Sequence, residues 1–192
     1  MVRRRLLVGS LTAAAIIGIG GGWWLASRGG AATETLPTPG AGSIPNSGIP
    51  VATDVKGEPL PDVTARTLDG RAVALRSLLG KPLILNFWSS TCIPCRKEMP
   101  AFEAVHQAID NHVRIVGIDP QDSPDAARKF ATRVNATYEL LRDPDGAVTS
   151  ALGVAALPTT VFVSADGTIL KAKAGALSQA ELRSTVAALY PA

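Results

Sequence analysis

The run Leu83-Ile84-Leu85-Asn86-Phe87-Trp88 leads through Ser89-Ser90-Thr91 into Cys92-Ile93-Pro94-Cys95, and this junction limits the fold more than any other stretch of the chain. A continuous apolar run of this length reads as a strand covered on both faces, which demands layers on either side of a sheet. Pro94 has no N–H to lose and a φ suited to a first helical turn, so a helix opens at the cysteines. A strand that turns into a helix in this way sets the first thiol over free N–H groups and the positive end of the helix dipole, which favours thiolate. The second thiol, three residues on, lies one turn away on the same helix face and can resolve a mixed disulfide.

These are the only two cysteines of the 192 residues. A purely structural bridge is a poor explanation, because stabilisation grows with the loop closed and two intervening residues constrain almost nothing. His106 and His112 complete C-x2-C-x10-H-x5-H, near a zinc-finger spacing. The helix must end by about Asn111, however, with His112 opening a strand and His106 reading as a helix-surface side chain, so no metal ligand set is assigned. Haem attachment requires His directly after the second cysteine, where Arg96 stands. The peroxidase pattern P-x-x-x-[ST]-x-x-C fails at Leu85, which occupies the place of its proline.

Arg3-Arg4-Arg5 precede 22 residues without charge, Leu6 to Ser27, closed by Arg28. That length crosses a hydrocarbon core as a helix. Residues 1–28 read as a retained signal-anchor rather than a cleaved signal, with Trp23-Trp24 in the interfacial belt, the arginines cytoplasmic and the bulk of the chain outside. If the segment is cleaved, the protein is secreted. Arg3-Arg4-Arg5-Leu6-Leu7 loosely resembles a twin-arginine export signal, which leaves the export route open, and no cysteine precedes Cys92 to carry a lipid. The formal charge of +3 belongs to this segment: four of the 19 basic residues lie there with no acid, which leaves 15 bases against 16 acids, or −1, elsewhere. Nothing in that balance points to nucleic acid.

Residues 29–58 are rich in Gly, Ala, Pro, Ser and Thr and read as a flexible linker. Residues 59–192 are long enough for one compact domain. Leu68-Asp69-Gly70-Arg71 signals a hairpin turn, Ser77–Leu79 a helical turn, and Val113–Ile118 a second buried strand. The helix at the cysteines contains Pro100 and should kink there. Ser123-Pro124-Asp125 starts a helix to about Val134, Tyr138–Leu141 is extended, and a short helix falls near Val148–Leu152. Leu157-Pro158-Thr159-Thr160-Val161-Phe162-Val163 and Thr168–Ala174 form a hairpin around Asp166-Gly167, and Ser178-x-x-Glu181 is a capping box for a last helix ending near Tyr190. A hairpin, then a parallel half, then an antiparallel half make an α/β three-layer sandwich with a mixed sheet.

With F-W-x-x-x-C-x-P-C-R-K-E-M-P at Phe87–Pro100, L-P-T-T at Leu157–Thr160, the turn after it, and the amino-terminal anchor with linker, the chain resembles the thioredoxin superfamily. Within it, the chain is similar to the membrane-tethered TlpA/ResA-type thiol-disulfide oxidoreductases, over about Pro59 to Leu189. The resemblance implies Cys92 as the attacking thiol, Cys95 as the resolving one and Pro158 as a cis proline facing them. It implies that Leu157 pairs with an extended substrate strand beside contacts from Trp88, Thr91, Ile93 and Pro94, and that Glu98 assists proton transfer. Thr91 replaces the Trp that usually precedes the first cysteine. Asn86 stands where cytoplasmic thioredoxins hold a buried Asp, and an amide cannot take up that proton.

The implied activity is reduction of disulfides in exported proteins, apocytochrome c among them, by a monomer that needs no cofactor and is recharged by a membrane electron-donor protein. Two alternatives stand beside it at this level: an oxidant that installs disulfides, and a Cu(I)-binding module using the same two thiols.

Overall fold

The computed structural model describes residues 55–109 and 111–191. The expected anchor, and the linker up to residue 54, lie outside the described residues. Among the described residues, no helix is long and apolar enough to cross a membrane.

Among the described residues, seven strands form one sheet in the order β2-β1-β5-β4-β3-β6-β7. They are β1 (Thr64–Thr67), β2 (Ala72–Ala74), β3 (Leu83–Phe87), β4 (Arg114–Asp119), β5 (Glu139–Arg142), β6 (Thr159–Val163) and β7 (Ile169–Ala174). The helices are α1 (Ile93–His106), α2 (Pro124–Arg133), α3 (Ala147–Ala151) and α4 (Gln179–Leu189). Strands β3, β4 and β5 run parallel, β6 lies antiparallel to β3, and the β1–β2 hairpin adds antiparallel to β5. This is the thioredoxin-like α/β sandwich with a mixed central sheet and an amino-terminal hairpin that the sequence led us to expect.

Local signals account for most element ends. Ser123 Oγ accepts from Ala126 N at 3.3 Å to start α2, with Pro124 at the first helical position. Ser178 and Glu181 form a reciprocal capping box at α4. The helical turn expected at Ser77–Leu79 is a 3-10 turn at Leu75–Leu78. Pro100, expected to kink α1, lies inside the helix without ending it.

The continuous apolar β3 is explained by two cores. Ile84 and Trp88 face α1, α2 and α4 with Met99, Phe102, Phe130 and Val186, while Leu83, Leu85 and Phe87 face Leu60, Leu75, Val148 and Val161 on the other side. This period-two alternation turns Asn86 toward α1 as well. Residues 55–58, read from the sequence as the end of the linker, belong to the folded body. Val55 is buried in the second core, and Gly57 N donates to Ile169 O at 2.8 Å.

Candidate active site

The chain leaves β3 at Phe87 and reaches α1 at Cys92, which is its N-cap; Cys92 Sγ accepts from Cys95 N at 3.2 Å. The sulfur thus lies against the free N–H groups of the first turn, at the positive end of the helix dipole. Cys92 and Cys95 are joined, with S–S 1.99 Å and Cα–Cα 5.3 Å. Cys95 is fully buried and Cys92 half-buried, so a partner reaches only the first sulfur. Ile93 and Pro94 between them are exposed, and Thr91 is exposed beside them.

One turn beyond Cys95, Glu98 is buried at 2% exposure. Asn86 Nδ2 donates to its Oε1 at 2.8 Å, and Leu177 N donates to its Oε2 at 3.0 Å. Burial pushes the Glu98 carboxyl up to about 7, and the two hydrogen bonds, which favour the anion, hold it back from going higher. A helix glutamate is ordinarily solvated; here a carboxyl that can gain or lose a proton near neutral pH is buried on the same helix as Cys95, one turn on. Tyr138 is buried, its hydroxyl without a hydrogen-bond partner among the described residues, and burial, then the Glu98 charge, push that hydroxyl upward. His106, read from the sequence as a surface residue, is half-buried with its ring edge toward Tyr138, centroids 6.0 Å apart.

On the other side of the redox loop lies an arrangement that sequence reasoning missed. Asp119, at the end of β4, is fully buried, and its Oδ1 accepts from Gln121 N and Asp122 N, both at 3.0 Å. Asp122 in turn accepts from Ser90 N at 2.6 Å and Ser90 Oγ at 2.8 Å, while its carbonyl takes Arg142 Nε and Nη2 at 3.1 and 2.7 Å. Burial raises the Asp119 carboxyl, the two N–H bonds oppose it, and the neighbouring Asp122 charge raises it further. The only advance signal was the polar turn Asp119-Pro120-Gln121-Asp122-Ser123 closing a buried strand.

A cleft of about 440 Å³ opens beside Cys92, lined among others by Thr91, Gln121, Thr149, Ala155 and Leu157. The Leu157–Pro158 peptide bond is cis, and Pro158 is buried with its carbonyl accepting from Gly175 N at 2.8 Å. Cys92, Thr91 and Leu157 therefore share one cleft, and Pro158 follows Leu157 as a buried residue. Trp88 does not join them. It is fully buried, stacked on Phe130 with centroids 5.1 Å apart, and cannot form part of a contact surface for substrate. The reason is that the alternation of β3 continues one residue past Phe87 and sends Trp88, with Ile84, into the core under α1, α2 and α4. Gly117 leaves the room it needs: a Cβ there would lie 2.7 Å from Trp88 Nε1 and 2.6 Å from Leu140 Cδ2.

A family model described as AhpC/TSA matches residues 56–172, more than half of the chain. The chain belongs to the AhpC/TSA family. Among relatives of this AhpC/TSA protein, the thiol:disulfide interchange protein DsbE of Pseudomonas fluorescens biotype C is 33% identical over 138 residues, covering 71% of this chain and 76% of that one. The thiol-disulfide oxidoreductase ResA of Halalkalibacterium halodurans is 29% identical over 124 residues, 64% of this chain and 70% of that one. A secreted Mycobacterium tuberculosis disulfide oxidoreductase homologous to E. coli DsbE superposes with TM-score 0.60 at 36% identity, over 67% of this chain and 96% of that one. With the Cys92–Cys95 pair at disulfide distance in such a setting, this member of the family is a thiol-disulfide oxidoreductase. Leu85, buried in β3, still breaks the peroxidase pattern within it.

Proposed function

We propose that the chain is an extracytoplasmic protein-disulfide reductase, with residues 1–28 as its membrane anchor, residues 29–54 as tether and the Cys92–Cys95 dithiol as its working group. The observation that carries the reading is the Cys92–Cys95 pair at the start of α1, Cys92 opening on the cleft and Glu98 buried one turn past Cys95, where burial pushes its carboxyl up to about 7. Cys92 thiolate attacks one sulfur of a substrate disulfide, that S–S bond breaks, and the leaving thiolate takes a proton from solvent. Cys95 passes its proton to Glu98 and attacks Cys92 Sγ, which breaks the mixed disulfide and releases the second substrate thiolate; that thiolate takes a proton from solvent, and Glu98 returns its own to solvent. The substrate gains two electrons and two protons, and the protein is left with the disulfide described above.

Leu157 and the cis Pro158 offer backbone to an extended substrate strand along the cleft beside Thr91, and the exposed Ile93 and Pro94 complete the contact surface outside it. A membrane dithiol protein then recharges the disulfide, and the domain acts as a monomer. Support for the location comes from the charge-free segment after Arg3-Arg4-Arg5 and from the secreted relative. The TlpA/ResA resemblance supports exported cysteine proteins, apocytochrome c among them, as substrates.

Trapping tests this reading. A Cys95→Ser variant expressed in the native host holds its partner on Cys92 as a mixed disulfide, and the partner is an exported protein. No adduct in cells that depend on the wild type would defeat the mechanism, and a redox potential well above that of thioredoxin would reverse the direction of electron flow.

A further inference from the structure

The surface around Cys92 divides by charge. The cleft is lined by neutral side chains, among them Ser89, Thr91, Gln121, Thr149 and Leu157. Separate from the cleft, a shallow hollow of about 450 Å³ is bounded by Ile93, Arg96 and Lys97, which follow Cys92 in the chain. Ile93 is 64% exposed and is the one exposed large hydrophobic side chain among the described residues. Arg96 and Lys97 are exposed, and neither takes part in an ion pair among the described residues.

Their position is electrostatically unfavourable for the isolated domain. Both follow directly on the first turn of α1, which has no acidic residue, so two cations stand near the positive end of the helix dipole. Glu98, the next residue of α1, does not compensate, because it is buried and bonded to Asn86 and Leu177. An exposed apolar side chain beside two uncompensated cations, next to the reactive sulfur, is a surface incomplete without a partner.

We propose that this edge of α1 docks an acidic protein segment. The partner's reacting cysteine is flanked by an apolar side chain that lies on Ile93 and by Asp or Glu residues that meet Arg96 and Lys97, while its neutral side enters the cleft. The proposal rests on the thiol-disulfide reading and names the substrate class of that same site. Docking an anion there offsets the unfavourable placement of the cations and steers encounter toward Cys92.

Two synthetic peptides with the same internal disulfide, flanked in one by Glu and in the other by Lys, test it against the full-length chain in its reduced form. At low ionic strength the Glu-flanked peptide is reduced about tenfold faster. The advantage shrinks at high salt, as expected for exposed charges. It reverses in an Arg96→Glu, Lys97→Glu variant and vanishes in the milder Arg96→Gln, Lys97→Gln variant. Ile93→Ser slows both peptides together. Equal rates for the two peptides with the wild type overturn the docking surface and leave the redox activity standing. Failure to reduce either peptide, when dithiothreitol reduces both, overturns the thiol-disulfide reading and the docking surface with it.

Discussion

Asn86 Nδ2 donates to Glu98 Oε1 at 2.8 Å, so the amide on β3 and the carboxyl on α1 form one unit beneath the redox pair. The amide cannot exchange a proton and the carboxyl can. Acid–base duty on this side of the dithiol therefore falls on the helix rather than on the strand.

Glu98→Gln tests that duty through pH. Burial raises the folded-state value from 4.5 to about 7, so the folded protein keeps a proton that the unfolded chain releases in between. The stabilisation is complete below about 4.5 and is lost as pH rises through about 7, an effect of at most about 3 kcal/mol. Denaturant titrations from pH 4.5 to 8 show this slope in the wild type and a flatter one in Glu98→Gln. Thiol exchange by the variant loses the wild-type pH inflection near neutrality; unchanged rates and thiol pKa values would remove Glu98 from the mechanism.

Asn86→Asp places a second carboxylate against the first. Two anions at this distance cannot both ionise, so the pair holds a shared proton to higher pH. The variant is destabilised on the order of 2 kcal/mol at pH 8 and far less at pH 5. Urea unfolding at the two pH values measures the difference.

Asp122→Ala releases Ser90, whose N–H and hydroxyl both end on that carboxylate. Bonds to a charged acceptor are worth roughly 1.5–3 kcal/mol each, so melting temperature falls. The turn that presents Cys92 is also freed, and turnover of a protein disulfide drops more than reaction of Cys92 with a small alkylating reagent. Asp122→Asn retains an acceptor and restores part of both.

Gly117→Ala drives a methyl group toward Trp88 and Leu140. Overpacking of this kind costs about 1–3 kcal/mol. Because Trp88 lies directly before the redox loop, its fluorescence shifts along with stability. An unchanged spectrum and melting temperature would show that this corner of the core yields easily.

Much of this molecule is written in short-range signals. The strand leading to Cys92, Pro94 at the helix start, the Ser123 cap and the Ser178–Glu181 box all act within a few residues, and each element stands where its signal lies. Trp88 neighbours the cysteines in sequence, which suggests a substrate contact, yet the period of β3 sends it with Ile84 and Asn86 to the face covered by α1. The burial of Glu98 was legible on the same kind of grounds, since it shares the stripe of Cys95, Met99, Phe102 and Val105 at helical spacing. The Ser90–Asp122 clamp joins residues 32 apart, and Leu177 reaches Glu98 across 79. No local pattern announces such contacts; they exist only once β3, β4 and α4 have taken their places.

The full burial of Cys95 has a kinetic corollary. Any protein that gives electrons to this dithiol and any protein that takes them must enter through Cys92 and depart from it. Donor and acceptor compete for the same few square nanometres and never sit there together, so turnover follows a ping-pong order, with inhibition by excess of either. Features that favour one visitor, such as the cations of α1, also govern how readily the other is admitted.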